Sequence, residues 1–209
     1  MTDRSTSARP FDAVLCDVDN VIRTFDSTHL EALERVAGLA EGTTKKVAFS
    51  PEAVGPLLLG RITEQEWVAS IAAGLAGLVD EETGWALGTA LLESPFRADV
   101  TVLELLRRAR VRVPLVLVTN ATLGLERDLE AMGLTELADE VVSSARVGLA
   151  KPDRRIFELG AARAGVRPDR CLFVDDTEEN VEAAAALGMT AVHFRTAADL
   201  ERALEPLFT

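Results

Sequence analysis

Five short apolar runs, each followed by a stretch with helical periodicity, constrain this chain more than anything else in it. They are AVLC (13–16), VPLVLVT (113–119), EVV (140–142), RCLFVD (170–175) and TAVHF (190–194). Short Val- and Leu-rich runs without polar alternation suit strands covered on both faces, and the intervening helices supply the crossovers of a parallel sheet. The pattern predicts an α/β fold: a doubly wound, parallel, five-stranded, Rossmann-like sheet.

Helix punctuation agrees. Thr177 is placed to cap EENVEAAAAL, whose Val181, Ala184 and Leu187 share a face, and Gly188 is placed to stop it. Thr196 and Asp199 have capping-box spacing before the last helix, and Lys151 and Pro152 open a helical segment running through Ile156, Phe157 and Leu159.

One interval is too long for the pattern. Residues 18–112 separate the first run from the second, where a crossover needs only about a dozen residues. The surplus is a domain-sized insert with helical signals: STHLEALERVAGLA, SPEAVGPLLL, TEQEWVASIAAGLAGL with a Thr63–Glu66 capping box, and DEETGWALGTALLE after Asp80. The expected organisation is an α/β core from residues 11–22 and 97–209, with 97–110 as the returning crossover helix. A four-helix bundle forms a cap over 23–96, and 1–10 is a flexible N-terminal arm. Trp67 and Trp85 are expected in the core of the bundle, and Arg61 is a further cap candidate.

Composition limits the partners. Twenty-two Lys and Arg against 34 Asp and Glu give a net charge of −12, a field that repels nucleic acid and anionic membrane. An anionic substrate would need local cations. No apolar run approaches the roughly 18 residues needed to span a bilayer, and MTDRSTSARP lacks the apolar core of a secretory signal. A cytoplasmic protein is expected, with no membrane partner. Cys16 and Cys171 lie in apolar runs and are expected to be buried, reduced thiols.

Ligands of open parallel sheets bind outside the carboxyl ends of the strands. The first run is followed by Asp17 and Asp19 within LCDVDN, and the second ends in Thr119 and Asn120. The third is followed by Ser143, Ser144 and then Lys151, and the fourth by Asp175 and Asp176. Clustered carboxylates raise one another's pKa values and stay ionised together only beside a cation. An all-oxygen donor set selects a hard ion, and Mg²⁺ held by two carboxylates plus a phosphate is the usual solution. Lys151 and Thr119 then read as donors to phosphoryl oxygens.

Taken together, these motifs resemble the haloacid dehalogenase superfamily of phosphohydrolases, specifically members with a small helical cap inserted just after the first motif. The resemblance covers the chain from Phe11. It is carried by the DxDx(T/V) run at Asp17–Val21, the strand ending in Thr119 and Asn120, GLAKPD with Lys151, and FVDDTEENVEAAAALGM with Asp175 and Asp176. It implies a Mg²⁺-dependent phosphatase acting on a small phosphorylated metabolite. Asp17 is implied as the nucleophile that becomes an aspartyl phosphate, and Asp19 as the acid that protonates the leaving oxygen and then the base that activates water. Thr119 and Lys151 are implied to hold the phosphoryl oxygens, assisted by amides around Asn120. Asp17, Asp176 and the carbonyl of Asp19 are implied as metal ligands, with Asp175 a second ligand or just outside, and Asn180 orienting the loop. Arg23, directly after the nucleophile loop, is placed to reach a substrate anion. His29 and His193 are read as an ordinary helix residue and a strand-end residue.

Two positions depart from the family's pattern. Asn20 stands where Gly is common, and Asn tolerates positive φ better than most residues; Val21 replaces the commoner Thr. Other readings are a 2-haloacid dehalogenase-like hydrolase, a phosphoacceptor signalling module and a non-catalytic phosphate-binding protein. The first needs neither a metal nor a second acid, so Asp19 and Asp176 speak against it. The second keeps its acidic pair after the first strand, whereas here the Asp175–Asp176 pair is late.

Overall fold

The computed structural model describes residues 9–208; residues 1–8 of the arm expected over 1–10 lie outside them. Strand β1 (Ala13–Cys16) is followed by a short β2 (Arg23–Phe25) and five helices: α1 (Thr28–Val36), α2 (Thr43–Ala48), α3 (Pro51–Leu58), α4 (Glu64–Gly74) and α5 (Glu81–Leu92). The chain returns through β3 (Phe96–Ala98) and α6 (Val100–Arg110) to β4 (Leu115–Thr119), α7 (Leu125–Ala131), β5 (Glu140–Ser143) and α8 (Ser144–Val147). Helix α9 (Arg154–Arg163), β6 (Cys171–Asp175), α10 (Glu178–Ala185), β7 (Thr190–His193) and α11 (Ala197–Leu204) complete it.

The main sheet has the order β5-β4-β1-β6-β7, and every neighbouring pair is parallel. Its three central strands, β4, β1 and β6, bury both faces. Val14, Cys16, Leu115, Leu117, Leu172 and Val174 join one apolar cluster with side chains of α6, α7 and α11. The alternate residues Leu15, Val116, Val118 and Phe173 join another with Ile156 and Phe157 of α9 and Ala184 of α10. This is why the runs show no polar alternation. Helix α9 lies so close to the sheet that a Cβ on Gly160 would stand 2.9 Å from Leu15 Cδ2 and Val118 Cγ2, so a larger residue there would force the layers apart. Cys16 and Cys171 are buried and free, with burial pushing both thiols up, Cys171 to about 12.

Helices α1–α5 pack round a separate apolar cluster containing Leu30, Trp67, Ile71, Leu75 and Leu87. Five helices stand where four were expected, α2 being the addition. Trp67 is buried and donates from Nε1 to Ala48 O at 3.1 Å, but Trp85 is 42% exposed, contrary to the expectation for both. The Thr63–Glu66 and Thr196–Asp199 capping boxes form as expected. Three other signals resolve differently. Thr177 makes no side-chain cap bond. Helix α9 begins after Asp153, whose side chain accepts from Arg155 N, so Lys151 and Pro152 lie in the turn ahead of it. The segment expected as a helix from 97 starts at Val100, because Phe96–Ala98 pairs antiparallel with β2 to form a two-stranded ribbon leading into and out of the helical insert. Among the described residues no helix is long and apolar enough to cross a membrane.

The residue before helix α2, Gly42, has no side chain to cap it. Glu34 of α1, itself buried, supplies the cap: its carboxylate accepts from Gly42 N at 2.8 Å and Thr44 N at 2.6 Å. Burial opposes that charge, but the bonds from Thr44 and Gly42, with Lys45 nearby, outweigh it and hold the carboxyl below its ordinary value. An acid depressed in the folded state stabilises above its unfolded-state value, and the contribution is lost as pH falls through its folded-state value. Glu34→Ala is therefore expected to lower the unfolding free energy by about 2 kcal/mol near neutral pH. The deficit should narrow below about pH 4; denaturant unfolding of both proteins across pH checks the size and the direction.

Candidate active site

The strand order reverses at β1, which has β4 on one side and β6 on the other, so a crevice opens at the carboxyl ends of these three strands. Asp17 leaves β1 into it, kept in line with β6 by its N–H donating to Val174 O at 2.9 Å. Asp175 ends β6 with no exposed surface, and Lys151 arrives from the turn before α9 with 5% exposure. The Lys151 ammonium joins the two: Nζ stands 2.8 Å from Asp17 Oδ1 and 2.6 Å from Asp175 Oδ2.

Each member has further support. Asp175 Oδ1 accepts from Thr177 N at 2.9 Å and from the buried Asn180 Nδ2 at 3.0 Å, so both of its oxygens are engaged. Asn20, at φ 59°, adopts the left-handed conformation expected for it, and its Nδ2 donates to Asp176 Oδ2 at 2.9 Å. His193, the register partner of Asp175, donates from Nε2 to Asp176 O at 2.9 Å. Asn120 clamps the Lys151 backbone at both ends, Oδ1 accepting from Lys151 N at 2.8 Å and Nδ2 donating to Lys151 O at 2.9 Å. Its side-chain amide thus serves Lys151, whereas sequence reasoning named Asn120 as substrate-binding through the backbone amides around it. Among the described residues, Thr119 and its register partner Ser143 carry buried hydroxyls with no hydrogen-bond partner, and an incoming oxyanion would satisfy such a group at a strand end.

Asp19 and Arg23 are also brought together, though not as expected. Arg23 is buried, its Nε 2.6 Å from Asp19 Oδ1 and its Nη1 2.7 Å from Asp128 Oδ2. Its guanidinium also lies 4.9 Å from the Phe25 ring centre and 5.2 Å from that of Phe96. Two carboxylates already share this charge, so Arg23 braces Asp19 and is not a free anion receptor. Asp128, one turn into α7, carried no motif that marked it in the sequence. Asp19, Asn20, Arg23 and Asn120 line a cleft of about 890 Å³ whose opposite wall comes from the helical insert, including Phe49, Leu57, Glu64 and Trp67.

Burial pushes the Asp17 carboxyl up to about 6; Lys151 pulls it back, while the charges of Asp175 and Asp19 push it further. Burial also works against the Lys151 ammonium, but the same two carboxylates prevail and its pKa lies above the ordinary value. Asp17, Asp175 and Asp176 bring carboxylate oxygens within 4.8 Å of one another. Three carboxylates against one ammonium leave two negative charges uncompensated, and oxygen donors alone match a hard divalent ion. The residues therefore fit Mg²⁺. Asp19 turns its carboxylate to Arg23, outside this cluster, which leaves its backbone carbonyl as the ligand atom that sequence reasoning invoked.

Residues 11–188 match the family model of haloacid dehalogenase-like hydrolases. The chain belongs to this family. It is 32% identical over 191 residues to Phosphatase MT3486 of Mycobacterium tuberculosis, covering 86% of this chain and 85% of that one. It is 26% identical over 188 residues to Phosphorylated carbohydrates phosphatase of Thermotoga maritima, covering 87% and 84%. A wild-type HAD family enzyme from Bacteroides thetaiotaomicron, solved with magnesium and inorganic phosphate, shares the fold with a TM-score of 0.64 at 19% identity, over 86% of this chain and 92% of that one.

For this haloacid dehalogenase-like hydrolase, an ion bound only by the folded state stabilises it by about 2.7 kcal/mol at a hundred-fold excess over the dissociation constant. Magnesium is expected to raise the melting temperature of the native protein, and Asp176→Asn to abolish the response. A native protein whose melting ignores magnesium would contradict the assignment of the acidic cluster.

Proposed function

We propose that the protein is a Mg²⁺-dependent phosphatase of small phosphorylated metabolites, working through phosphoryl transfer to Asp17. The observation that carries this reading is a buried carboxylate at the edge of a parallel sheet, held by an equally buried lysine beside two further acids at the mouth of a cleft. The relatives named as phosphatases support it. In this reading residues 11–22 and 97–209 are the core and 23–96 the cap.

Asp17 attacks phosphorus through a carboxylate oxygen, the ester P–O bond breaks, and the enzyme holds a mixed anhydride. Asp19 lines the cleft and has one carboxylate oxygen on Arg23, so its other oxygen is the one to give a proton to the leaving oxygen and later to take one from the attacking water. Lys151 neutralises Asp17 and then the transferred phosphoryl group, while the Thr119 hydroxyl donates to a phosphoryl oxygen. Mg²⁺ held by Asp17, Asp175, Asp176 and the Asp19 carbonyl would offset the negative charge that an arriving phosphate adds. Asn120, Asn180 and Asn20 hold Lys151, Asp175 and Asp176 in place. The cap closes the far side of the cleft and limits water during the first transfer.

The native protein is expected to turn over p-nitrophenyl phosphate continuously with magnesium, to stop on chelation and to recover when the ion is restored. Asp17→Asn should lower kcat by about a thousand-fold or more. One stoichiometric phosphorylation without further turnover would instead favour a phosphoacceptor.

A further inference from the structure

The cleft runs from Asp19, Asn20 and Asn120 at the sheet edge to Lys45 of α2 and Ser27 just before α1. Lys45 is one of only three lysines in a chain with 34 acidic residues. Its Nζ donates to Ser27 Oγ at 2.6 Å, and among the described residues it forms no ion pair. Glu34, whose carboxyl feels the Lys45 charge, has both oxygens engaged by Gly42 N and Thr44 N. Of the other cations of the cleft, Arg23 is committed to Asp19 and Asp128, while the largely exposed Arg127 pairs loosely with Glu64 at 3.7 Å and Asp128 at 3.5 Å. A half-buried ammonium with a single acceptor keeps two donors unfilled, and Ser27, accepting from Lys45, still has its O–H to give. Both residues line a ligand-sized cleft, where donors without a protein partner are available to an acceptor on a ligand.

We propose that Lys45 and Ser27 form a subsite for a carboxylate on the leaving group, so that the substrate is the phosphate ester of a small hydroxy acid. The inference rests on the phosphatase reading and adds the chemical class of the alcohol. One ammonium and one hydroxyl match a single negative charge, whereas Asp19, Glu64 and Asp128 line the same cleft and disfavour a dianion such as a second phosphate. A neutral polyol would gain less, because a charge-assisted bond is roughly twice as strong as a neutral one.

The test compares carboxyalkyl phosphates with hydroxyalkyl phosphates of matched length, for example 2-phosphoglycolate with 2-hydroxyethyl phosphate and the next longer pair. The native protein is expected to favour the carboxylate member in kcat/KM, chiefly through KM. Lys45→Gln should reduce that preference about ten-fold or more. Lys45→Glu should shift preference toward aminoalkyl phosphates of the same length, an outcome that a merely loosened cap would not produce. Should the lysine variants fail to fold, Ser27→Ala is expected to show a smaller loss of the same preference. No carboxylate preference in the native protein, or one that survives Lys45→Gln, overturns the proposal. p-Nitrophenyl phosphate separates the two failures: no turnover defeats the phosphatase reading and the subsite with it, whereas turnover without carboxylate preference defeats the subsite alone.

Discussion

The contact between the Lys151 ammonium and the carboxylates of Asp17 and Asp175 is the constraint on which the site depends. Burying three charged groups carries a desolvation penalty that good geometry and further hydrogen bonds must offset. The surroundings supply both: the Asn120 amide holds the Lys151 backbone at each end, and Thr177 N and Asn180 hold Asp175. Two of the three partners sit at the ends of adjacent parallel strands whose register is set by apolar packing on both faces. The precision of the site is thus inherited from the sheet, and the lysine is the one long side chain that must be aimed.

The helical insert engages that site through a few contacts. Arg23 opens the β2–β3 ribbon leading into the insert and is braced by Asp19 on one side and Asp128 of α7 on the other. Further out, Thr122 Oγ1 donates to Glu64 Oε1 at 2.7 Å, tying the loop after β4 to the start of α4. Where the turn after α3 meets α8, Gly60 has φ +66° and a Cβ there would stand 2.4 Å from Ala145 O, so only glycine permits the approach. A buried ion-pair network, polar ties to Glu64 from Thr122 and Arg127, and a close backbone approach thus join the insert to the rest of the fold.

What could be read from the sequence follows from which forces act locally. Strands buried on both faces show as continuous apolar runs, and Asp17, Thr119, Asp175 and Asp176 stand at or just after their ends, so their placement at one sheet edge was legible; Lys151, beyond α8, was marked only by the GLAKPD motif. The three-residue strands β2 and β3 were not: RTF and FRA are too short to show a period, and their pairing brings together residues about 70 apart in the chain. Helix α2 was missed because its cap comes from Glu34 and not from its own first turn. The same reason hid the roles of Asn120 and Arg23. An amide or guanidinium facing a cleft looks like a ligand donor until its tertiary partners, here the Lys151 backbone and Asp128, are known.

The acidity of the chain raised a problem that the site's geometry answers. A net charge of −12 would repel an anionic ester at long range, but at physiological salt the Debye length is about 8 Å. Charges farther away than that are largely screened, so the local balance decides whether a phosphate can enter. Without a cation that balance is unfavourable, since Lys151 faces three carboxylates. Burial has already pushed Asp17 up to about 6, so adding a phosphate would make that carboxyl harder still to keep ionised. A divalent ion shared by the acids reverses the sign of that coupling: the charge that favours an ionised Asp17 also attracts the phosphate. In the proposed reading, binding of the ion and of the ester would be energetically linked, and the excess carboxylate that looks like a liability in the protein alone would make phosphate binding conditional on the metal.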